Sequence, residues 1–126
     1  MKYTKIDNEI INDIKGFIES GFVYCDNEKL SEYSRDETED LIFRPEIVVK
    51  PSSTSEISKL LNYCSSRNIT VTPCGARTGL SGGSLPIYGG ISLSLERLNK
   101  IIDIDERNLQ ATAEPGVINQ VFRDCV

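Results

Sequence analysis

Apolar positions recur along the chain with two periods, and the change from one to the other marks the elements. Ile10, Ile11, Ile14, Phe17 and Ile18 fall on one face of a helix. Asp7 or Asn8 is placed to cap its start, and Gly21 to end it. Residues 24–44 lose the pattern and centre on Arg35-Asp36-Glu37-Thr38-Glu39-Asp40. They predict a short helix and then a loop whose charges face water. Ile47-Val48-Val49, closed by Pro51, reads as a short buried strand. Ser53-Thr54-Ser55-Glu56 is a capping box, and the helix it opens sets Ile57, Leu60, Leu61 and Cys64 on one face. Residues 69–72 supply a second strand. Strand, helix and strand in close succession make a βαβ unit, which requires the two strands to be parallel.

Beyond the second strand the pattern shortens. Pro86 to Gly90 predicts a turn, and Ile91-Ser92-Leu93-Ser94-Leu95 alternates as a third strand. Residues 101–104 and 109–113 flank Asp105-Glu106-Arg107-Asn108 as a hairpin. After Glu114-Pro115-Gly116 a helical pattern begins at Val117 and stops with the chain, as expected of a piece of a longer protein. The fold class is therefore α/β, in the broader sense α+β: a small parallel sheet flanked by helices, followed by the start of a second, antiparallel unit. Two parts are expected, a helical and loop segment over 1–44 and a sheet-forming part over 45–126.

Composition narrows the chemistry. The 126 residues contain no histidine, so no imidazole base and no histidine-ligated metal is available. The net charge of −5 is uneven: residues 1–40 carry 11 acidic and 5 basic side chains, the remainder 8 and 9. An acidic first third speaks against a nucleic-acid partner. Cys25, Cys64, Cys74 and Cys125 form no CxxC pair and no metal spacing. No apolar run reaches the roughly 20 residues needed to span a bilayer. Met1-Lys2-Tyr3-Thr4-Lys5 leads into an amphipathic segment rather than a signal core, so the expected compartment is a reducing cytoplasm.

The chemistry concentrates in Pro73-Cys74-Gly75-Ala76-Arg77-Thr78-Gly79-Leu80-Ser81-Gly82-Gly83-Ser84. It lacks the lysine of a P-loop and the GxGxxG spacing of a dinucleotide fingerprint. Two readings stand. One is a nest of backbone amides for an anion, with hydroxyls from Thr78 and Ser81 and charge from Arg77. The other is a wide loop whose glycines only turn the chain. The loop's place at the carboxyl end of a parallel strand, and its lack of Asp and Asn, favour the first. Arg77 itself either meets the anion or pairs with a local acid. Cys74, at a strand end, reads as a buried thiol. Glu96-Arg97 reads as a surface ion pair of little energetic consequence.

Several ordered blocks together carry a resemblance: residues 73–83, Gly89-Gly90-Ile91-Ser92-Leu93-Ser94-Leu95-Glu96-Arg97-Leu98-Asn99, and Ala113-Glu114-Pro115-Gly116-Val117, with Tyr33-Ser34-Arg35-Asp36 and residues 45–51 in support. Over roughly residues 30–126 the chain resembles the FAD-linked oxidases of the vanillyl-alcohol oxidase/p-cresol methylhydroxylase superfamily, nearest to their glycolate oxidase D-subunit and FAD-linked D-lactate dehydrogenase branch. The resemblance implies FAD held between two α/β subdomains. It implies that Gly75, Ala76, Arg77, Thr78, Gly79, Leu80, Ser81, Gly82 and Gly83 wrap the pyrophosphate, that Pro73 joins the cofactor-binding residues, and that Pro115 and Gly116 lie near the adenine or isoalloxazine end of the cofactor. It implies oxidation of a small 2-hydroxy acid by hydride transfer to the flavin, with the catalytic residues beyond position 126. The chain alone is then expected to grip cofactor without turnover, and to self-associate through a face left bare. The rival reading is a non-catalytic nucleotide-binding or interaction module on the same sheet.

Overall fold

The computed structural model describes residues 2–38, 40–78 and 82–125. Its elements are α1 (Asn8–Lys15), a 3-10 turn (Ser20–Phe22), β1 (Val23–Tyr24), α2 (Asn27–Glu32), β2 (Ile47–Val49), α3 (Thr54–Arg67), β3 (Val71–Cys74), β4 (Ile91–Ser94), β5 (Ile101–Asp105), β6 (Gln110–Ala113) and α4 (Asn119–Cys125). One sheet runs β1-β2-β4-β3, and β5 pairs with β6 in a second. Strands β2, β4 and β3 are mutually parallel, while β1 adds an antiparallel edge. The βαβ unit is thus present, but its strands do not touch. The α3 crossover leaves one place vacant, and β4 fills it.

Helix starts follow their caps. Asp7 Oδ1 accepts from the Ile10 amide at 2.9 Å, and Ser53 Oγ from the Glu56 amide at 3.2 Å. The Glu56 carboxylate reaches Ser52, not Ser53: its Oε1 accepts from both the amide and the hydroxyl of Ser52 at 2.8 Å. Helix α1 ends at Gly16 rather than Gly21, because the Gly16 amide turns back to the Asp13 and Ile14 carbonyls. Phe17 and Ile18 lie past that end, and Ile18 still enters the core. Asn68, left-handed at φ 57°, closes α3.

Within the alternating residues 91–95 the expected strand forms as β4, and all of β4 is buried. As the central strand it is covered on both sides. Its Ile91 and Leu93, with Ile47 and Val49, meet Ile10, Ile14, Ile18, Leu60 and Cys64. On the other face Val48 and Cys74 pack with Leu30 and Tyr33. There Ser94 Oγ accepts from the Tyr33 hydroxyl at 2.9 Å, which satisfies a polar side chain buried in mid-sheet. The main core joins side chains from both sides of position 44.

The hairpin matches its expected place, with β6 starting at Gln110 rather than Leu109. Leu109 takes φ 54° in the turn, where the Asp105 carboxylate accepts from the amide and side chain of Asn108. A bulge lies between Ile101 and Asp103. No described helix is long and apolar enough to cross a membrane.

Candidate functional site

Parallel strands that stop at one edge bring their following residues together. Val49 is level with Leu93, and Cys74 with Ser94. Lys50, the glycine loop and residues 95–97 therefore emerge at a common carboxyl edge, where sheets of this kind place ligands. A cleft of about 460 Å³ opens there, lined by Gly75, Ala76, Arg77, Glu96, Asn99 and Gly116. Val117, Ile118 and Val121 add an apolar wall. Residues 75–77 and 116 are separated by the whole of β4 and the hairpin, and only the fold joins them.

The glycines of this site answer different needs. Gly116 is wedged against β4's exit: a Cβ there would lie 2.2 Å from the Leu95 carbonyl oxygen and 2.6 Å from that of Leu98. Its amide donates to the Leu98 carbonyl at 2.6 Å. Gly75 is open instead. A Cβ at that position would meet only the Pro115 carbonyl, at 3.9 Å, so bare backbone faces the cleft. This is room a close-lying ligand can use. In the described part of the loop the left-handed turns are at Arg77 (φ 57°) and Gly82 (φ 73°).

Arg77 has several partners. Its Nη1 donates to the Glu32 carbonyl at 2.6 Å, and Nη2 to Glu32 Oε1 at 3.1 Å. Its guanidinium carbon sits 4.3 Å from the centre of the Tyr33 ring. Glu32 also pairs with Lys29 at 3.1 Å. Desolvation works against the Glu32 carboxylate, but the Lys29 hydrogen bond and the charges of Lys29, Arg77 and Lys50 outweigh it and lower its pKa. The local acid weighed for Arg77 is therefore Glu32, at the carboxyl end of α2. The bond pins the loop at a backbone angle that costs a non-glycine residue on the order of 1 kcal/mol.

Of the other expected site residues, Pro73 lies exposed in β3, an edge strand that tolerates its missing amide. Thr78, Gly82 and Gly83 lie outside the cleft's lining. Pro115 backs it through its carbonyl. Gly79, Leu80 and Ser81 lie outside the described residues. The Gly82 amide donates to Thr38 Oγ1 at 2.9 Å, and the Thr38 amide to Asp36 Oδ1 at 2.8 Å, so the acidic loop is tied to the glycine loop. Desolvation disfavours the Asp36 carboxylate, yet the hydrogen bonds from Thr38 and Gly82 hold its pKa below the ordinary value.

One pair escaped the sequence reading. Glu96 does not bond Arg97. Its Oε1 accepts from Lys50 Nζ at 2.5 Å, while Arg97 donates to the Lys50 carbonyl at 2.9 Å and lies over the Phe22 ring. Lys50 is only 6% exposed, with its ammonium 5.3 and 5.7 Å from the ring centres of Tyr24 and Tyr33. Burial disfavours that charge, but the Glu96 bond outweighs it and the pKa rises. The available signal was a lysine directly after three buried β-branched residues and before Pro51. A buried cation there needs an anion from another strand. Burial raises the pKa of Tyr33 and takes the Cys74 thiol to about 11, so Cys74 is an inert core group.

Residues 45–124 match the family described as FAD binding domain. Glycolate oxidase subunit GlcD of Bacillus subtilis (strain 168) is 43% identical over 86 residues, 68% of this chain and 18% of that protein. D-lactate dehydrogenase of Anaerostipes hadrus is 36% identical over 127 residues, 98% of this chain and 26% of that protein. Among solved structures, p-cresol methylhydroxylase with substrate bound superposes with a TM-score of 0.79 at 21% identity, over 94% of this chain and 24% of that one, a likeness of fold. The chain spans about a quarter or less of the length of these relatives.

Proposed function

The chain belongs to the FAD binding domain family, and from that premise we propose that the cleft at the sheet's carboxyl edge receives the pyrophosphate side of FAD. The observation that carries this is the meeting of open-backed Gly75, Ala76 and Arg77 with Gly116 around one cavity. The lining suits the group: accessible glycine backbone, one guanidinium, and an apolar wall from Val117, Ile118 and Val121. Pro73, Thr78, Gly79, Leu80, Ser81, Gly82 and Gly83 extend the same cradle in this reading, with Pro115 supporting it from behind. Arg77 acts from a fixed position, since Glu32 and Tyr33 already hold its side chain.

The protein to which this domain contributes is, in this reading, a flavin-dependent oxidoreductase of small 2-hydroxy acids of the glycolate or D-lactate kind. The names of its relatives support that class. Bound FAD would supply the two-electron acceptor. The chain's own part is to hold and orient it. The cleft lining includes no imidazole, and neither Lys50 nor Tyr33, both buried and partnered, is poised as a base. We assign the chain grip without turnover. Residues 45–126 form the cofactor-holding part, and residues 1–44 buttress it by completing the core. A reducing cytoplasm is the proposed setting, supported by four unbonded cysteines. Self-association through the exposed apolar residues of the hairpin and α4 belongs to the same proposal.

A flavin-fluorescence titration with FAD, with ADP as competitor, tests the placement. Saturable binding that ADP displaces and that Arg77→Ala weakens about tenfold is expected, since the substitution both removes a cation and frees the loop. FAD binding that ignores ADP and Arg77→Ala alike would move the cofactor elsewhere.

A further inference from the structure

The cleft's charges are not arranged for phosphate alone. Arg77 stands on the loop side, already shared with Glu32. Across from the loop, after β4, stands a carboxylate: Glu96, half exposed, lining the same cavity as Asn99. An acid beside a phosphate site is repulsive, so its presence needs another account. Lys50 supplies the first half of one. Its buried ammonium holds Glu96 Oε1 at 2.5 Å and fixes a side chain that would otherwise swing in water. Among the described residues Oε2 accepts no hydrogen bond. An ionised carboxylate can only accept, so what it recognises must donate.

We infer that Glu96 accepts a hydrogen bond from a sugar hydroxyl of the bound dinucleotide, with Lys50 as its positioning residue and Asn99 as a neighbouring polar contact. The inference rests on the reading that the cleft holds FAD. Hydroxyls flank the pyrophosphate of that cofactor on both sides, on the adenosine ribose and on the ribityl chain. A bystander ion pair and a hydroxyl acceptor predict opposite signs. Neutralising a bystander acid lowers repulsion and tightens phosphate binding. Neutralising an acceptor loses a charge-assisted hydrogen bond and weakens it.

Backbone-amide NMR titrations of the 126-residue chain with FAD, ADP, 2′,3′-dideoxy-ADP and FMN separate the cases. Glu96→Gln is expected to weaken FAD binding about tenfold. A matching loss on ADP, absent with the dideoxy ligand, assigns the ribose. A matching loss on FMN assigns the ribityl chain. The double variant Lys50→Met/Glu96→Gln removes both charges, leaves no unpaired buried cation, and should show the same loss. Unchanged or tighter FAD binding by Glu96→Gln or by the double variant overturns the inference alone. FAD that fails to shift the amides of residues 75–77 and 116 in the unsubstituted chain overturns the underlying reading of the cleft.

Discussion

The sheet β1-β2-β4-β3 and the hairpin β5-β6 both carry large aliphatic side chains and end in opposite conditions. Every residue of β2 and β4 is buried, whereas every residue of β6 is exposed. Ile102 and Leu109 are 65% and 92% exposed, yet Ile14 and Leu60 are fully covered. Both sets of strands are paired, in unbroken register for β2 and β4 and with one bulge between Ile101 and Asp103 in the hairpin. They differ in what lies over them. Helices α1 and α3 close one face of the four-stranded sheet and α2 with Tyr33 the other, while the hairpin has no comparable layer among the described residues. Burial belongs to the packing of layers, and a strand acquires it only from a neighbour.

The sharpest way to break this comparison is to remove equal side chains from the two regions. Ile14→Ala should cost about 2–5 kcal/mol of unfolding free energy, and Ile102→Ala less than about 0.5 kcal/mol, both read from urea denaturation. Equal losses would mean that the hairpin is covered in solution.

Alkaline pH should act next. Burial pushes the Cys64 and Cys74 thiols from the ordinary 9.0 to about 11. A folded-state pKa above the unfolded one favours the folded form while the group is protonated. That contribution is complete below pH 9 and is lost as pH rises from 9 to 11. For Cys64 the loss is on the order of 2–3 kcal/mol. Stability measured from pH 8 to 11 should fall, and Cys64→Ala should flatten that fall from a lower starting point. A slope unchanged in Cys64→Ala would place the titration elsewhere.

The most local expected effect lies at the seam. Gly116 joins the hairpin to α4 and touches β4's exit, where a Cβ would strike two carbonyl oxygens. Gly116→Ala should therefore loosen residues 117–125 and widen the cleft with little change in the sheet. Hydrogen exchange should quicken in α4 while β2 and β4 keep their protection. Equal quickening throughout would make the two regions one cooperative unit.

Much of the frame is legible in the order of residues. The caps at Asp7 and Ser53, the βαβ unit and the hairpin depend on local spacing, which a sequence displays directly. Misreadings arise where a partner comes from afar. Gly21 has the character of a helix end, but Gly16 meets the Asp13 carbonyl first. Alternation in residues 91–95 marks a strand but not its cover on both faces, because a covering Tyr33 is invisible from within the strand. Glu96 is matched by proximity to its sequence neighbour Arg97, while its partner Lys50 follows another strand, β2.

Residue order by itself determined where α1 and α3 start and the order of most elements, though β3 begins at Val71 and not at 69, and α4 at Asn119 and not at Val117. It also determined which side chains could face a core, and the ordered blocks that mark an FAD-binding chain. The elements follow from periodicity, capping and turn chemistry, which act over a few residues, and the ordered blocks mark the chain through their resemblance to a family. Tertiary structure alone decided that β4 is central, that residues 75–77 face Gly116 across a cleft, and that Lys50 holds Glu96 there. Those contacts join strands that are distant in sequence, and they form only when burial of both sheet faces brings the strands' ends to one edge.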